Sequence, residues 1–218
     1  MIQNFHLQEL TSSFLFDPAT LKDIEWIAQL EAEMYSGEDV VPEEILREWY
    51  AANPTGFFVI KTKNGQNLGH IDILPVRPGT LRLFVEGAIL ERDIRGDSLY
   101  SPGERGSIRD LYIESLAVRV SGKGKISVLR ALALNLPSLL CRIAAPENIE
   151  TVYGMAATKP GERMMEHLGF QRVLKGEERK DGHAIFSAGF KMLMENIAWI
   201  CRDLAGKDNI QYLKKGEP

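Results

Sequence analysis

The stretch DLYIESLAVRVSGKGKISVLRAL, residues Asp110 to Leu132, decides how the chain is read. Its first nine residues, Asp110 to Val118, have the branched and aromatic content of a strand. The next seven, Arg119 to Lys125, hold two glycines and three cations, after which the sequence turns apolar at helical spacing through about Ala144. Ser115 to Pro146 contains five cations (Arg119, Lys123, Lys125, Arg130 and Arg142) and neither Asp nor Glu. In a chain of net charge −4, the remainder therefore carries −9 by subtraction. Lys123 and Lys125 fall at a helix start, where unpaired N–H groups already form a partial positive charge. Each added cation is unfavourable there by a few tenths to about 1 kcal/mol. A bound anion would reverse that cost, because a strand that runs through a glycine turn into a helix offers backbone N–H groups to phosphate oxygens. The alternative is a plain glycine turn whose lysines face water.

Two common phosphate motifs do not fit. A dinucleotide fingerprint needs a third small residue and an acidic residue about 20 positions on, but Ser127 follows the glycines and Ala144 and Ala145 have no carboxylate beside them. A P-loop needs Ser or Thr after Gly-Lys, and Ile126 follows Gly124-Lys125. What does fit is Leu116-Ala117-Val118 ending a strand, Arg119-x-x-Gly122-x-Gly124 opening a helix, and Leu168-Gly169-Phe170 downstream. This pattern resembles the GNAT superfamily of acetyl-CoA-dependent N-acetyltransferases, over roughly Phe14 to Phe190.

The resemblance implies an α/β (α+β) fold, with a mixed, mostly antiparallel central sheet flanked by helices and an extra C-terminal helix. It implies acetyl-CoA as co-substrate. The backbone of Leu116, Ala117 and Val118 would pair with the pantetheine arm. Ser121, Gly122 and Gly124 would meet the pyrophosphate, Arg119, Lys123 and Lys125 would offset its charge, and Thr158 would occupy the place of a family Asn. An alkyl amine of pKa about 10.4 must lose a proton before it attacks a thioester, and family members often place a Glu on this strand as the base. Glu114 holds that place, with Asp110 as the fallback. Alternation along a regular strand puts Glu114, Leu116 and Val118 on one face, and a backbone N–H at Ala117 or Val118 would stabilise the oxyanion. The usual proton donor is a Tyr, where this chain has Met165, so Tyr153 is the substitute. The acceptor is expected to be a small-molecule or peptide amine. An acyl-CoA-binding module without catalysis and a binder of another nucleotide are the rival functions.

The rest of the chain supplies a mixed α/β order. A first strand is expected near Ser13 to Phe16, with Asp17-Pro18 opening a helix that ends near Tyr35 and carries Ile24, Ile27, Ala28, Glu31 and Met34 in one stripe. A second helix opens at Pro42 and turns Ile45, Leu46 and Trp49 inward. Strands from Phe57 and Leu68 form a hairpin through Asn64-Gly65. On the second, His70 and Asp72 share a face, either as the wet side of the hairpin or as acceptor contacts, and Glu38 and Asp39 lie in a turn that the resemblance assigns to the acceptor wall. Residues 75–106 read as an insertion with a short helix around Leu81 to Glu86. Pro137 is expected to kink the long helix. Further strands fall at Ile149 to Thr158, Phe170 to Leu174 and Ala184 to Phe190, with a short helix between the first two. A final helix from about Met192 to Leu204 carries Leu193, Met194, Ile197, Ala198, Cys201 and Leu204. One domain over 1–218 is expected, with a core of about 14–190 and residues 191–218 as helix and tail.

Composition narrows the class. At 218 residues and 44% hydrophobic content the chain can bury a full core. Its acidic balance argues against nucleic acid as a partner. The start, MIQNFHLQEL, lacks a secretory pattern and no stretch approaches 18 uninterrupted apolar residues, so a cytoplasmic protein without a membrane partner is expected, as monomer or homodimer. Four histidines, none near a cysteine or in an HExxH-like pair, offer no metal site, and no metal is expected.

Overall fold

The computed structural model describes residues 14–200 and 202. Asn64-Gly65 turns the chain between β2 (Phe57–Thr62) and β3 (Asn67–Leu74). Only Gly65 takes a positive φ, 82°, and its N–H donates to the Thr62 carbonyl at 2.9 Å, which closes the turn. β1 (Phe14–Pro18) pairs with β2 along one edge of the sheet, and Pro18 belongs to that strand rather than to the helix. An edge strand tolerates proline because its missing N–H leaves no partner in the sheet unsatisfied. The helix α1 (Leu21–Met34) starts instead at Thr20, whose backbone N–H donates to the Asp23 carboxylate at 2.8 Å. α2 (Glu43–Ala52) follows, with Ile45, Leu46 and Trp49 buried as its spacing requires.

Residues 75–106 hold the short helix α3 (Pro78–Val85), with Leu81 and Phe84 buried, and two three-residue 3-10 helices, Glu91–Asp93 and Gly96–Ser98, and a third, Pro102–Ser107, begins at their end. β4 (Asp110–Val118) has the bounds its sequence suggests, and α4 (Gly122–Ile143) runs through Pro137 without ending there. α4 is long and apolar enough by composition to cross a membrane, but here Val128, Leu132, Leu136 and Leu140 of its inner face are core residues. β5 (Thr151–Ala156), α5 (Lys159–His167), β6 (Gln171–Leu174) and β7 (Ala184–Gly189) complete the order, and a last helix, α6, covers 190–200. Cys201 and Leu204 lie outside the described residues.

The seven strands form one sheet in the order β1-β2-β3-β4-β5-β7-β6, antiparallel except for the β4–β5 pair. One face packs beneath α4, α5 and α6, with Ile71, Ile73, Leu111, Leu193 and Ile197 in its core. The other packs beneath α1, α2 and the 75–106 segment through Ile24, Ile27, Trp49, Phe84 and Tyr112. At about 25 cal/mol per Å2 of apolar surface removed from water, two such layers are the main stabilising contribution to the fold.

Candidate active site

β4 and β5 pair from Asp110 opposite Thr151 to Ile113 opposite Gly154, and no further. Both strands continue, β4 to Val118 and β5 to Ala156, so they part at Ile113. A cavity of about 640 Å3 opens beside the parting. β4 contributes Ile113 to Leu116 and Val118 to its wall, β5 and its exit contribute Met155 to Thr158, and α6 contributes Ile197, Trp199 and Ile200. Glu31, Tyr35, Asp39 and Glu91 line it together with Glu114, while the cations Lys125 and Arg130 come from α4.

Glu114 owes its position to a bulge. Asp72 pairs with Ser115 and Ile73 with Ile113, which leaves Glu114 as an extra residue with no counterpart on β3. Side-chain alternation resets there: Leu111, Ile113 and Val118 sit in the core under α4 with Leu116 packed on it, whereas Tyr112 sits in the core under α1. Glu114 and Ser115 therefore both face the α1 side. The expectation that Glu114 shares a face with Leu116 and Val118 is corrected by that one added residue.

The surroundings of Glu114 are acidic. It is 8% exposed, and its Oε2 makes no hydrogen bond. Burial first, then the charges of Glu31, Glu91 and Asp72, hold its carboxyl well above the ordinary carboxylate range. Burial raises Glu31 to about 7. Glu91, whose carboxylate accepts the Tyr112 hydroxyl, is raised to about 8, again chiefly by burial. Tyr35, beside Glu31, is pushed up to about 12 by burial and stays a neutral phenol. Behind them His70 and Asp72 are fully buried, with His70 Nδ1 3.1 Å from Asp72 Oδ2. Burial lowers His70, but the Asp72 charge, its hydrogen bond and the Glu31 charge outweigh it and the net direction is upward. The shared face expected of this pair is present, but it is a core face and not a wet one.

At the other end, Ser121 precedes the first turn of α4 without a side-chain capping bond, and that turn holds no acidic residue. Gly122 has φ 58°, in the left-handed region that favours glycine. Lys123, Gly124 and Lys125 follow and are exposed. Arg119 departs from expectation: its guanidinium reaches Glu33 of α1 at 2.7 Å and stacks over Trp26, because β4 delivers it to the α1 side of the sheet. Its backbone N–H donates to the Leu68 carbonyl at 2.7 Å. Ala117 is buried and pairs with His70 on β3. Thr158 caps α5, accepting the Gly161 N–H at 3.1 Å, and lines the cavity.

Tyr153 is not brought to the cavity. It pairs with Tyr112 across the joined part of β4 and β5 and packs toward the α1-side core, with Asp110 as its nearest influential charge. Asp110 sits on the same joined stretch, also away from the cavity wall. Met165 does line the cavity, and among the described residues Tyr35 is the tyrosine that does so. Of the turn residues, Asp39 lines the cavity and its Oδ1 meets His183 Nε2 at 2.8 Å, while the side chain of Glu38 lies outside the described residues. Sequence reasoning missed Glu91 and gave Glu31 no role. A carboxylate inside the apolar stripe of α1 was the available signal for Glu31.

Searches against family models and curated proteins find no match. Solved structures do match. The loading GNATL domain of CurA from Lyngbya majuscula superposes with TM-score 0.56 at 13% identity, covering 82% of this chain and 98% of that domain. Mosquito arylalkylamine N-acetyltransferase like 5b gives 0.53 at 15%, covering 81% and 100%. A mutant spermidine/spermine N-acetyltransferase SpeG from Vibrio cholerae gives 0.51 at 13%, covering 84% and 98%. The fold is that of the GNAT acetyltransferases. In this GNAT fold the parted β4 and β5, the bulge at Glu114 and Lys125 near the start of α4 line one cavity.

Proposed function

We propose that the protein is an acetyltransferase that moves an acetyl group from acetyl-CoA to a primary amine by direct attack in a ternary complex. One observation carries the reading: Glu114, buried on a bulge where two parallel strands part, faces a cavity that also reaches Lys125 near the uncapped start of α4. That start suits a polyanion, since its first N–H groups have no partner within the helix and Lys123 and Lys125 add positive charge. Gly122, Lys123, Gly124 and Lys125 would hold the pyrophosphate of the co-substrate, Leu116 to Val118 its pantetheine arm, and Thr158 would line its path. Acetyl-CoA would supply an acetyl group activated as a thioester and a thiolate as leaving group.

Glu114 takes the proton from the acceptor. Burial makes the Glu114 carboxylate a stronger base than a solvated one, and the field of an ammonium entering the cavity pulls its pKa back down, so Glu114 releases its own proton to solvent and stands ionised to take one from the amine. The carboxyl groups of Glu31, Glu91 and Asp39 line that end, while Lys125 and Arg130 stand on α4, and a cation entering beside Glu31 and Glu91 draws them toward the ionised form. This polarity supports a cationic amine as acceptor. The Tyr35 hydroxyl, neutral across the physiological range, is available as a hydrogen-bond donor on the same wall.

The test is a panel of small and peptide amines incubated with acetyl-CoA, read by thiol release and by mass spectrometry of the acceptor. The expected result is a mass gain of one acetyl group on at least one amine, lost in Glu114→Gln. Binding of CoA with no acetylated product across the panel would refute catalysis, and no binding of CoA at millimolar concentration would refute the whole reading.

A further inference from the structure

We infer that the protein binds one zinc ion between Glu31 and His70, at the floor of the cavity. Glu31 Oε1 and His70 Nε2 stand 3.7 Å apart, and neither atom has a hydrogen-bond partner. Both side chains are buried, at 1% and 0% exposure. The separation is too long for a hydrogen bond, which wants about 2.7–3.2 Å. It is the separation expected of two ligands that each sit about 2.0–2.2 Å from one ion at an angle somewhat wider than tetrahedral.

The second nitrogen of the imidazole supports the same conclusion. His70 Nδ1 lies 3.1 Å from Asp72 Oδ2, so a proton on Nδ1 donates to that carboxylate and leaves the Nε2 lone pair aimed at Glu31. A carboxylate that fixes the ring of a ligating histidine is the usual outer partner of such a site. One donor atom from each of Glu31, His70 and Asp72 lies within 4.8 Å of the others. Ser115 Oγ, brought to that side of the sheet by the bulge, is also buried without a partner and offers an oxygen beside Glu31, and water from the cavity would complete a tetrahedral shell. An imidazole nitrogen among carboxylate oxygens favours zinc over magnesium or calcium, which prefer oxygen alone. Glu31, Glu114 and Ser115 line the cavity, which gives the ion a route from solvent.

The experiment uses the full chain with any histidine tag removed, dialysed against zinc and then against metal-free buffer, with metal content read by plasma mass spectrometry. One zinc per chain is expected. His70→Ala and Glu31→Gln are each expected to weaken zinc binding by more than about 100-fold, beyond the roughly 10–100-fold that loss of an outer partner costs, and Asp72→Asn to fall within that smaller range. Should these variants fail to fold, cobalt(II) added to the wild-type chain decides the matter: visible ligand-field bands abolished by zinc are expected. Under about a tenth of an equivalent of zinc, together with a cobalt-treated chain that shows no such bands, overturns the site. So does full occupancy in a folded His70→Ala. None of these readouts involves acetyl transfer, so this site and the proposed activity fail separately.

Discussion

Replacing Glu91 by Gln is expected to stabilise the protein, and increasingly so as pH rises. Gln keeps an acceptor for the Tyr112 hydroxyl but cannot ionise. In the wild type, burial raises the Glu91 carboxyl from 4.5 to about 8. Between those two values the unfolded chain gives up its proton while the native chain keeps it, so the native state loses stability as pH climbs through the interval and loses no more above it. The displacement of about 3.5 on the pH scale, at about 1.4 kcal/mol per unit, sets a ceiling of roughly 5 kcal/mol. Glu91 is only half-buried as a residue, and solvent screening reduces the expected gain to about 2–3 kcal/mol at pH 8 and under about 1 kcal/mol at pH 5. Urea unfolding of both proteins at pH 5, 6, 7 and 8, followed by far-ultraviolet circular dichroism, measures the difference directly. A variant that is less stable at pH 8, or whose advantage does not change with pH, would refute the reasoning.

Glu114→Gln is expected to lower the turnover of acetyl transfer by about 100-fold or more while leaving CoA affinity within a few-fold, measured by steady-state kinetics and calorimetry. The double change Lys123→Glu with Lys125→Glu should weaken CoA binding at least about tenfold at low salt, with the gap narrowing as salt rises, because the lost attraction is electrostatic. Tyr153→Phe should leave turnover unchanged, since this side chain does not reach the cavity; a loss above about tenfold in a folded protein would contradict that placement. Gly56→Ala should be severely destabilising by thermal melting, because a Cβ there would stand 1.9 Å from the Ile73 carbonyl oxygen, a backbone atom that cannot move aside.

The elements that sequence made legible are those whose signals are local. Asn64-Gly65 marked its hairpin through turn chemistry, and Asp110 to Val118 marked β4 through residue type, with the glycine turn as its boundary. The bulge was not legible, because an inserted residue shows itself only against the strand it fails to pair with, and β3 carries no mark at Asp72-Ile73 that would reveal it. Hence Glu114 could be singled out while its face could not. Asp17-Pro18 imitated a helix start, and the competing Thr20 and Asp23 pair, three apart, was the true one. For His70 and Asp72 alternation gave the shared face but not its cover, since what lies over a strand is decided by a helix some 40 residues earlier. Glu91 sits in a segment without periodicity, and only the completed fold brings it to Tyr112.

Trp199 stands on the cavity wall and is 58% exposed, whereas Trp49 is fully enclosed with its indole N–H bonded to the Ile94 carbonyl. The chain has three tryptophans, and these two differ sharply in their contact with water. An indole at such a rim emits at long wavelength and is sensitive to quenchers, while an enclosed one emits at shorter wavelength and is shielded. The protein thus carries an intrinsic optical probe at the mouth of its site, able to follow ligand entry in real time without a label.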